Sequence, residues 1–281
     1  MNLLNDKDIV HYNLMDVITQ KAYQNNLPLA LKGGTALLFG YKLDRMSMDL
    51  DFDANKHIKL ESVIKESFSS FHGEDKLILS NINIKKDTDD VKRYVLAYKK
   101  PDNEEIFKLK IEMSFRRKFD MAETDILNDK RIFKLPFLFD FKRSAFEDRT
   151  ASRDLHDIVF IGKNYAGVLN AEQTDFIKGI YENIDQVINR YSEAYKEDPI
   201  LKDRFIEDII SLEQIVINKF KTISENRVSH IIKENPILSD KPKPEDNPSI
   251  MPELNIPKPD AFSQDMQNRQ IKQEIKRKFG R

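Results

Sequence analysis

The pattern of apolar and polar positions predicts strands in the first half of the chain and helices in the second. Residues 106–116 alternate strictly between apolar and polar, which is typical of a strand with one buried face. Shorter runs predict further strands at Leu29–Leu31, Met48–Asp53, Leu77–Ile84 and Tyr94–Tyr98. Helical spacing is found at Asp8–Tyr23, Thr35–Tyr41, Gln173–Tyr195 and Lys202–Ile223. This distribution predicts an α+β fold.

Proline and glycine divide the chain into regions. Three of the eight glycines lie between residues 33 and 40, and seven of the eleven prolines follow residue 235. A segment so polar and so often interrupted by proline does not form a core. We therefore expect a core domain over 1–138, a helical region over 139–235, and a proline-rich linker with a basic terminal helix over 236–281.

Composition excludes several classes of protein. The 46 basic and 47 acidic residues leave a net charge of -1, so a nucleic acid would have to be bound by a local basic patch. The absence of cysteine excludes disulfides, thiolate metal sites and thiol nucleophiles. The start lacks the apolar stretch of a signal peptide, and no apolar run approaches the roughly 18 residues of a membrane span. We expect a soluble, cytoplasmic protein.

The most informative residues are two aspartates on a predicted strand. Because Asp49 and Asp51 are two positions apart, both project from one face at about 6–7 Å, while Leu50 and Phe52 face the core. Carboxylates this close repel each other unless a cation lies between them, and oxygen ligands suit Mg²⁺, or Mn²⁺ in its place. Asp53 extends the same face, either as a further ligand or as a solvent-exposed residue.

A glycine pair lies about 15 residues before these acids. Gly33 and Gly34 lead from a strand into a helix, and without side chains they let backbone N–H groups approach a phosphate closely. A nucleoside triphosphate with Mg²⁺ would occupy both features. The alternatives are an ordinary turn and a solvated strand edge.

These residues resemble a known signature. Gly-Gly-Thr-Ala-Leu at 33–37, followed by Arg-x-Ser-x-Asp-Leu-Asp-Phe at 45–52, resembles the AbiEii/AbiGii-type nucleotidyltransferases. These are toxins of bacterial type IV toxin–antitoxin and abortive-infection systems. The resemblance implies a polymerase-β-like core, a mixed sheet flanked by helices, followed by a helical region that completes the active site. The implied roles are nucleotide binding by Gly33, Gly34, Thr35, Arg45 and Ser47, and metal binding by Asp49 and Asp51.

The same resemblance implies three further catalytic residues. Glu112, on the polar face of 106–116, would be the third acid, unless it simply pairs with Lys108 or Lys110. Lys142 would approach the triphosphate, and Asp154 would be the acid of a second block that resembles the family pattern, residues 139–158. Whether one helix continues through this block or a new one begins near 150–152 is left open by the sequence.

The expected activity is transfer of a nucleoside monophosphate from an NTP to a hydroxyl group, with the 3′ end of tRNA as a candidate acceptor and a cognate antitoxin as partner. The alternatives are a protein or small-molecule acceptor, or a catalytically silent module that only binds nucleotide. Six basic residues could contact RNA phosphates or form a solvated face: Arg116, Arg117, Lys118, Lys130, Arg131 and Lys134.

Overall fold

The structure, a computed structural model, describes residues 6–218. Its strands are β1 (Leu29–Lys32), β2 (Asp49–Ala54), β3 (Ile78–Asp87), β4 (Val91–Lys99), β5 (Phe107–Ser114), β6 (Thr124–Leu127) and β7 (Lys130–Phe133). Its helices are α1 (Asp6–Gln24), α2 (Gly33–Tyr41), α3 (Glu61–Phe68), α4 (Leu135–Asp148), α5 (Ser152–Tyr165), α6 (Ala171–Glu182) and α7 (Ile184–Glu197). The predicted tail, 236–281, lies outside the described residues.

The chain divides into two compact units, Met1–Asp203 and Arg204–Arg281. The first unit contains every strand and helix named above. The predicted boundary at residue 138 falls within one of these helices, α4. The described part of the second unit contains a helix over 205–218. No described helix, from residue 6 to residue 218, is long and apolar enough to cross a membrane.

The seven strands form one mixed sheet in the order β3-β4-β5-β2-β1-β7-β6. At its centre β2 pairs antiparallel with β1 and parallel with β5. Helices pack against this sheet, with α1 and α2 against β1 and β7, and α3 against β3. The predicted fold class, a mixed sheet flanked by helices, is confirmed.

Alternation along the central strands separates an apolar face from an acidic one. On β2, Leu50 and Phe52 are buried, and the apolar residues of β5 lie beside them on the same face. Burying a large apolar side chain contributes about 1.5–3 kcal/mol, so this face fixes the strand register. The acidic side chains of β2 must therefore point to the opposite face.

One helical prediction needs correction, and the structure decides one question that the sequence left open. The single helix predicted over Gln173–Tyr195 is two helices, α6 and α7, separated at Asn183. In the second block the chain leaves the helical conformation at Arg149, whose φ is -146°, and α5 begins at Ser152. Of the two alternatives left open by the sequence, a new helix that begins near residues 150–152 is therefore correct.

The sequence pattern also missed the β6–β7 hairpin at one edge of the sheet. Its strands are joined by Asn128 and Asp129, whose φ angles are 49° and 57°. Two residues with positive φ form the turn that matches the twist of a hairpin, and Asn and Asp tolerate it well. This Asn-Asp pair was the available signal.

Candidate active site

Three acidic side chains lie next to one another on the polar face of the sheet. Asp49 and Asp51 are two residues apart on β2, and Glu112 on β5 is the register partner of Asp51. Neighbouring strands are about 4.8 Å apart, and residues two apart on a strand share a face. The parallel pairing of β2 with β5 therefore assembles the three predicted acids into one cluster.

Basic side chains balance two of these acids. Asp49 Oδ2 lies 2.7 Å from Lys110 Nζ, and Glu112 Oε2 lies 2.6 Å from Arg93 Nη2. Within residues 6–218, no side chain forms an ion pair with Asp51. Burial raises the pKa of Asp51, and the negative charges of Asp49 and Glu112 raise it further against the opposing effect of Lys110. Asp51 is thus the acid whose charge is least compensated.

This cluster has the chemistry of a site for a hard divalent cation. In the described part of the chain, no group of three His, Asp or Glu side chains is placed to hold a metal ion, and Asp49 and Glu112 are paired with Lys110 and Arg93. The three acids nevertheless offer only oxygen ligands, and Asp51 has no ion-pair partner among residues 6–218. Both properties fit Mg²⁺, which binds to one or two carboxylates together with substrate phosphates.

The glycine turn directly adjoins Asp51. Gly33 has a φ of +74°, and a Cβ on it would lie 3.2 Å from Asp51 Oδ2. A side chain at this position would therefore strain the backbone and crowd the carboxylate. The N-terminus of α2, which begins at Gly33, has no side-chain cap, so its backbone N–H groups are available to an anion beside the acids.

Three predicted nucleotide-binding side chains lie beneath this turn. Thr35, Arg45 and Ser47 are all buried. Thr35 Oγ1 donates to the Asp49 carbonyl oxygen at 2.5 Å and lies 2.9 Å from Ser47 Oγ. A Cβ on Gly34 would lie 2.8 Å from Arg45 Nη2. These side chains support the turn from the protein side, which fixes its position relative to β2.

The second block forms a buried network of charges. Arg45 donates from Nε and Nη2 to the two oxygens of Asp157, both at 2.7 Å. Lys142 Nζ lies 2.7 Å from Asp157 and 3.3 Å from Asp154. Burial opposes the charge of Asp157, but Arg45 and Lys142 outweigh it and lower its pKa to about 2. Lys142 and Asp154 are therefore internal partners of each other.

Comparison with known proteins identifies the family. The family model described as the nucleotidyl transferase AbiEii toxin of type IV toxin–antitoxin systems matches residues 16–229. The chain belongs to the AbiEii family. It is a nucleotidyltransferase of a toxin–antitoxin family, which confirms the predicted family and enzyme class.

Two solved structures are similar to this chain of the AbiEii family over most of its length. JHP933 from Helicobacter pylori is 32% identical, with 80% of this chain and 99% of that chain covered and a TM-score of 0.69. A second H. pylori protein, described as a candidate nucleotidyltransferase, is 32% identical over 79% of this chain and 98% of its own, with a TM-score of 0.71. No curated protein matches the chain significantly in sequence.

Arg149 extends from the buried network towards the acid cluster, and sequence reasoning did not select it as a site residue. It donates from Nε to Asp154 Oδ2 at 2.7 Å, yet 64% of its side chain is exposed. The bond to Asp154 raises the pKa of Arg149, and the charge of Asp51 contributes to this rise. In this AbiEii chain Arg149 is thus an exposed cation at the edge of the buried charge network of the second block.

Two residues named in the sequence analysis, Asp53 and Lys130, are buried in ion pairs. Lys32, the register partner of Asp51 on β1, lies 2.5 Å from Asp53 Oδ1. Asp53 is buried between Lys32 and Arg117, so it is not a solvent-exposed residue. Lys130 is buried beside Asp16, with 2.7 Å between Nζ and Oδ1, and its side chain cannot reach an RNA phosphate in this arrangement.

Proposed function

We propose that the chain transfers a nucleoside monophosphate from an NTP to an acceptor hydroxyl group and releases pyrophosphate, with the 3′ end of a tRNA as acceptor. The observation that supports this most strongly is the contact between the glycine turn and the acid cluster. A Cβ on Gly33 would lie 3.2 Å from Asp51 Oδ2, so the backbone of the turn passes directly beside this carboxylate. A triphosphate on the turn would then lie beside the carboxylates.

The acid cluster would hold the metal. Asp49, Asp51 and Glu112 are its ligands in this proposal, and Mg²⁺, or Mn²⁺ in its place, would neutralise charge on the phosphates. The backbone N–H groups of Gly33, Gly34 and Thr35 bind phosphate oxygens at the start of α2. Glu112 accepts the proton of the acceptor hydroxyl, whose oxygen attacks the α-phosphorus as the bond to the β-phosphate breaks.

Arg149 would stabilise the negative charge that develops on the leaving pyrophosphate. Lys142 and Asp154 act as positioning residues for Arg149. Asp154 accepts a hydrogen bond from Arg149, and Lys142 balances the charge of Asp154 from inside the protein. Arg45 and Ser47 have the same function for the glycine turn, which they support from below.

The family supports the partner in this proposal, and the surface supports the acceptor. A toxin of this family has a cognate antitoxin, and we place the reaction in the cytoplasm, where NTPs and tRNA are abundant. The side chains of Arg116 and Lys134 are 65% and 39% exposed, so they are suitable contacts for RNA phosphates at the surface of a chain without net positive charge.

The test is incubation of the purified chain with each α-labelled NTP, Mg²⁺ and total RNA. We expect label at the 3′ end of tRNA with wild type and none with Asp51→Asn. Asp102→Asn, an exposed aspartate in the β4–β5 turn, is the matched control and should label as wild type does. Label on protein or on a small molecule would reject the tRNA acceptor, and NTP binding without transfer would reject the enzymatic proposal.

A further inference from the structure

A cavity of about 360 Å³ lies among α4, α6 and α7, away from the metal ligands and the glycine turn. Its size is within the range of roughly 300–1,000 Å³ for small-ligand sites. Its floor is apolar and buried, formed by Phe146, Ile180 and Val187. Asn183 and Gln186 are exposed amides at its rim. An apolar floor with a few polar groups at the edge is the usual composition of a small-molecule pocket.

These walls fit a flat molecule with apolar faces and a polar edge. The Arg190 guanidinium also lines the cavity, 5.4 Å from the centre of the Phe146 ring. Nucleobases stack on aromatic rings and guanidinium planes, and amide side chains bind to their edges. In the part of the chain from 6 to 218, the Gln186 side chain has no hydrogen-bond partner, so its donor and acceptor are both available to a ligand.

Arg149 connects this cavity to the active site. Arg190 Nη2 donates to the Arg149 carbonyl oxygen at 2.8 Å, and Arg190 Nε donates to Thr150 Oγ1 at 2.9 Å. The side chain of Arg149 extends from the same residue to Asp154. Lys142 joins Asp154 to Asp157, which is the partner of Arg45 beside the glycine turn. The cavity and the glycine turn are therefore connected by a continuous series of hydrogen bonds and ion pairs that passes through Arg149.

We propose that this cavity binds the nucleobase of the incoming NTP and determines which base is transferred. The inference rests on the proposed function, since the phosphates of the same molecule are placed at the glycine turn. A nucleotide with its base in the cavity and its phosphates at the glycine turn would pass along Arg149. Arg149 would then contact the part of the nucleotide between the base and the phosphates.

Gly179 offers a direct test because it lines the cavity and a Cβ on it meets nothing within 4 Å. A Gly179→Leu side chain therefore occupies open space instead of displacing the core. Gly167→Leu is the matched control, since Gly167 is equally open but lies outside the cavity. Gln186→Glu, at the exposed rim, is a second variant of nearly the same shape: it replaces the amide donor by an acceptor and adds one negative charge.

Calorimetry on the full chain would measure binding of ATP, CTP, GTP and UTP with Mg²⁺, and of inorganic triphosphate as a probe without a base. One base stack is worth about 5- to 150-fold in affinity. We expect Gly179→Leu to lower the affinity for the preferred NTP at least about fivefold, within that range, and to leave the affinity for triphosphate unchanged. Gln186→Glu should change the order of affinity among the four NTPs. Gly167→Leu should change neither the affinity for the preferred NTP nor this order.

Two results would overturn the inference while leaving the proposed function intact. One is wild-type affinity of Gly179→Leu and Gln186→Glu for every NTP. The other is a loss confined to use of the RNA acceptor, which would assign the cavity to a base of that RNA. If wild type bound neither an NTP nor triphosphate, the proposed function would fail together with this inference.

Discussion

Replacement of Arg45 by methionine tests the buried charge network quantitatively. Arg45 is 6% exposed and gives two hydrogen bonds of 2.7 Å to Asp157, a carboxylate with no exposed side-chain surface. Removing one partner of a buried ion pair costs about 3–5 kcal/mol, because the other charge stays in the interior without compensation. Lys142 remains 2.7 Å from Asp157, so we expect the lower end of this range, about 3 kcal/mol.

Thermal and urea unfolding of the full chain would measure this loss. At roughly 2–4 °C per kcal/mol, a loss of about 3 kcal/mol corresponds to a melting temperature lower by about 6–12 °C. Lys196→Met is the control, because its ion pair with Glu193 is 70% exposed on both sides and contributes at most about 1 kcal/mol. If Arg45→Met were no less stable than Lys196→Met, the account of the network would be refuted.

Three further predictions concern the acids. Asp51→Asn should raise the melting temperature of the metal-free chain, since burial disfavours the charged carboxylate; an unchanged or lower value would contradict this. Lys110→Met should tighten Mg²⁺ binding by up to about fivefold in calorimetry, because it frees Asp49, whereas Lys99→Met should not. The pKa of Asp157 is about 2 in the folded chain against 3.8 ordinarily. The ionised carboxylate therefore adds about 2 kcal/mol to the free energy of unfolding above pH ~4, and this contribution is lost as the pH falls towards 2. Asp157→Asn should lack this part of the acid dependence, and an identical pH profile would contradict it.

Local patterns predicted the parts of the site that a single element determines. Strand periodicity alone places Asp49 and Asp51 on one face, and the glycine pair between a strand and a helix indicates the turn. In both cases the relevant physics acts between residues that are close in sequence. Glu112 could be placed on the polar face of its own strand for the same reason.

Pairings between distant residues could not be predicted in this way. Arg45 and Asp157 are 112 positions apart, and nothing in either local pattern indicates that they meet. The parallel alignment that places Glu112 beside Asp51, and the salt bridge of Asp49 with Lys110, depend on the packing of the whole sheet. The break at Asn183 was missed because no proline or glycine marks it.

Binding of an Mg²⁺–NTP complex to three variants of the full chain tests most directly whether the glycine turn and the acids form one site. Gly33→Ala places a methyl group 3.2 Å from Asp51 Oδ2, Asp51→Asn removes the least compensated acid, and Asp102→Asn is the control. We predict that the first two variants each lose at least about tenfold in affinity, equivalent to about 1.4 kcal/mol, and that the control binds as wild type does. Wild-type affinity in both Gly33→Ala and Asp51→Asn would contradict the central claim.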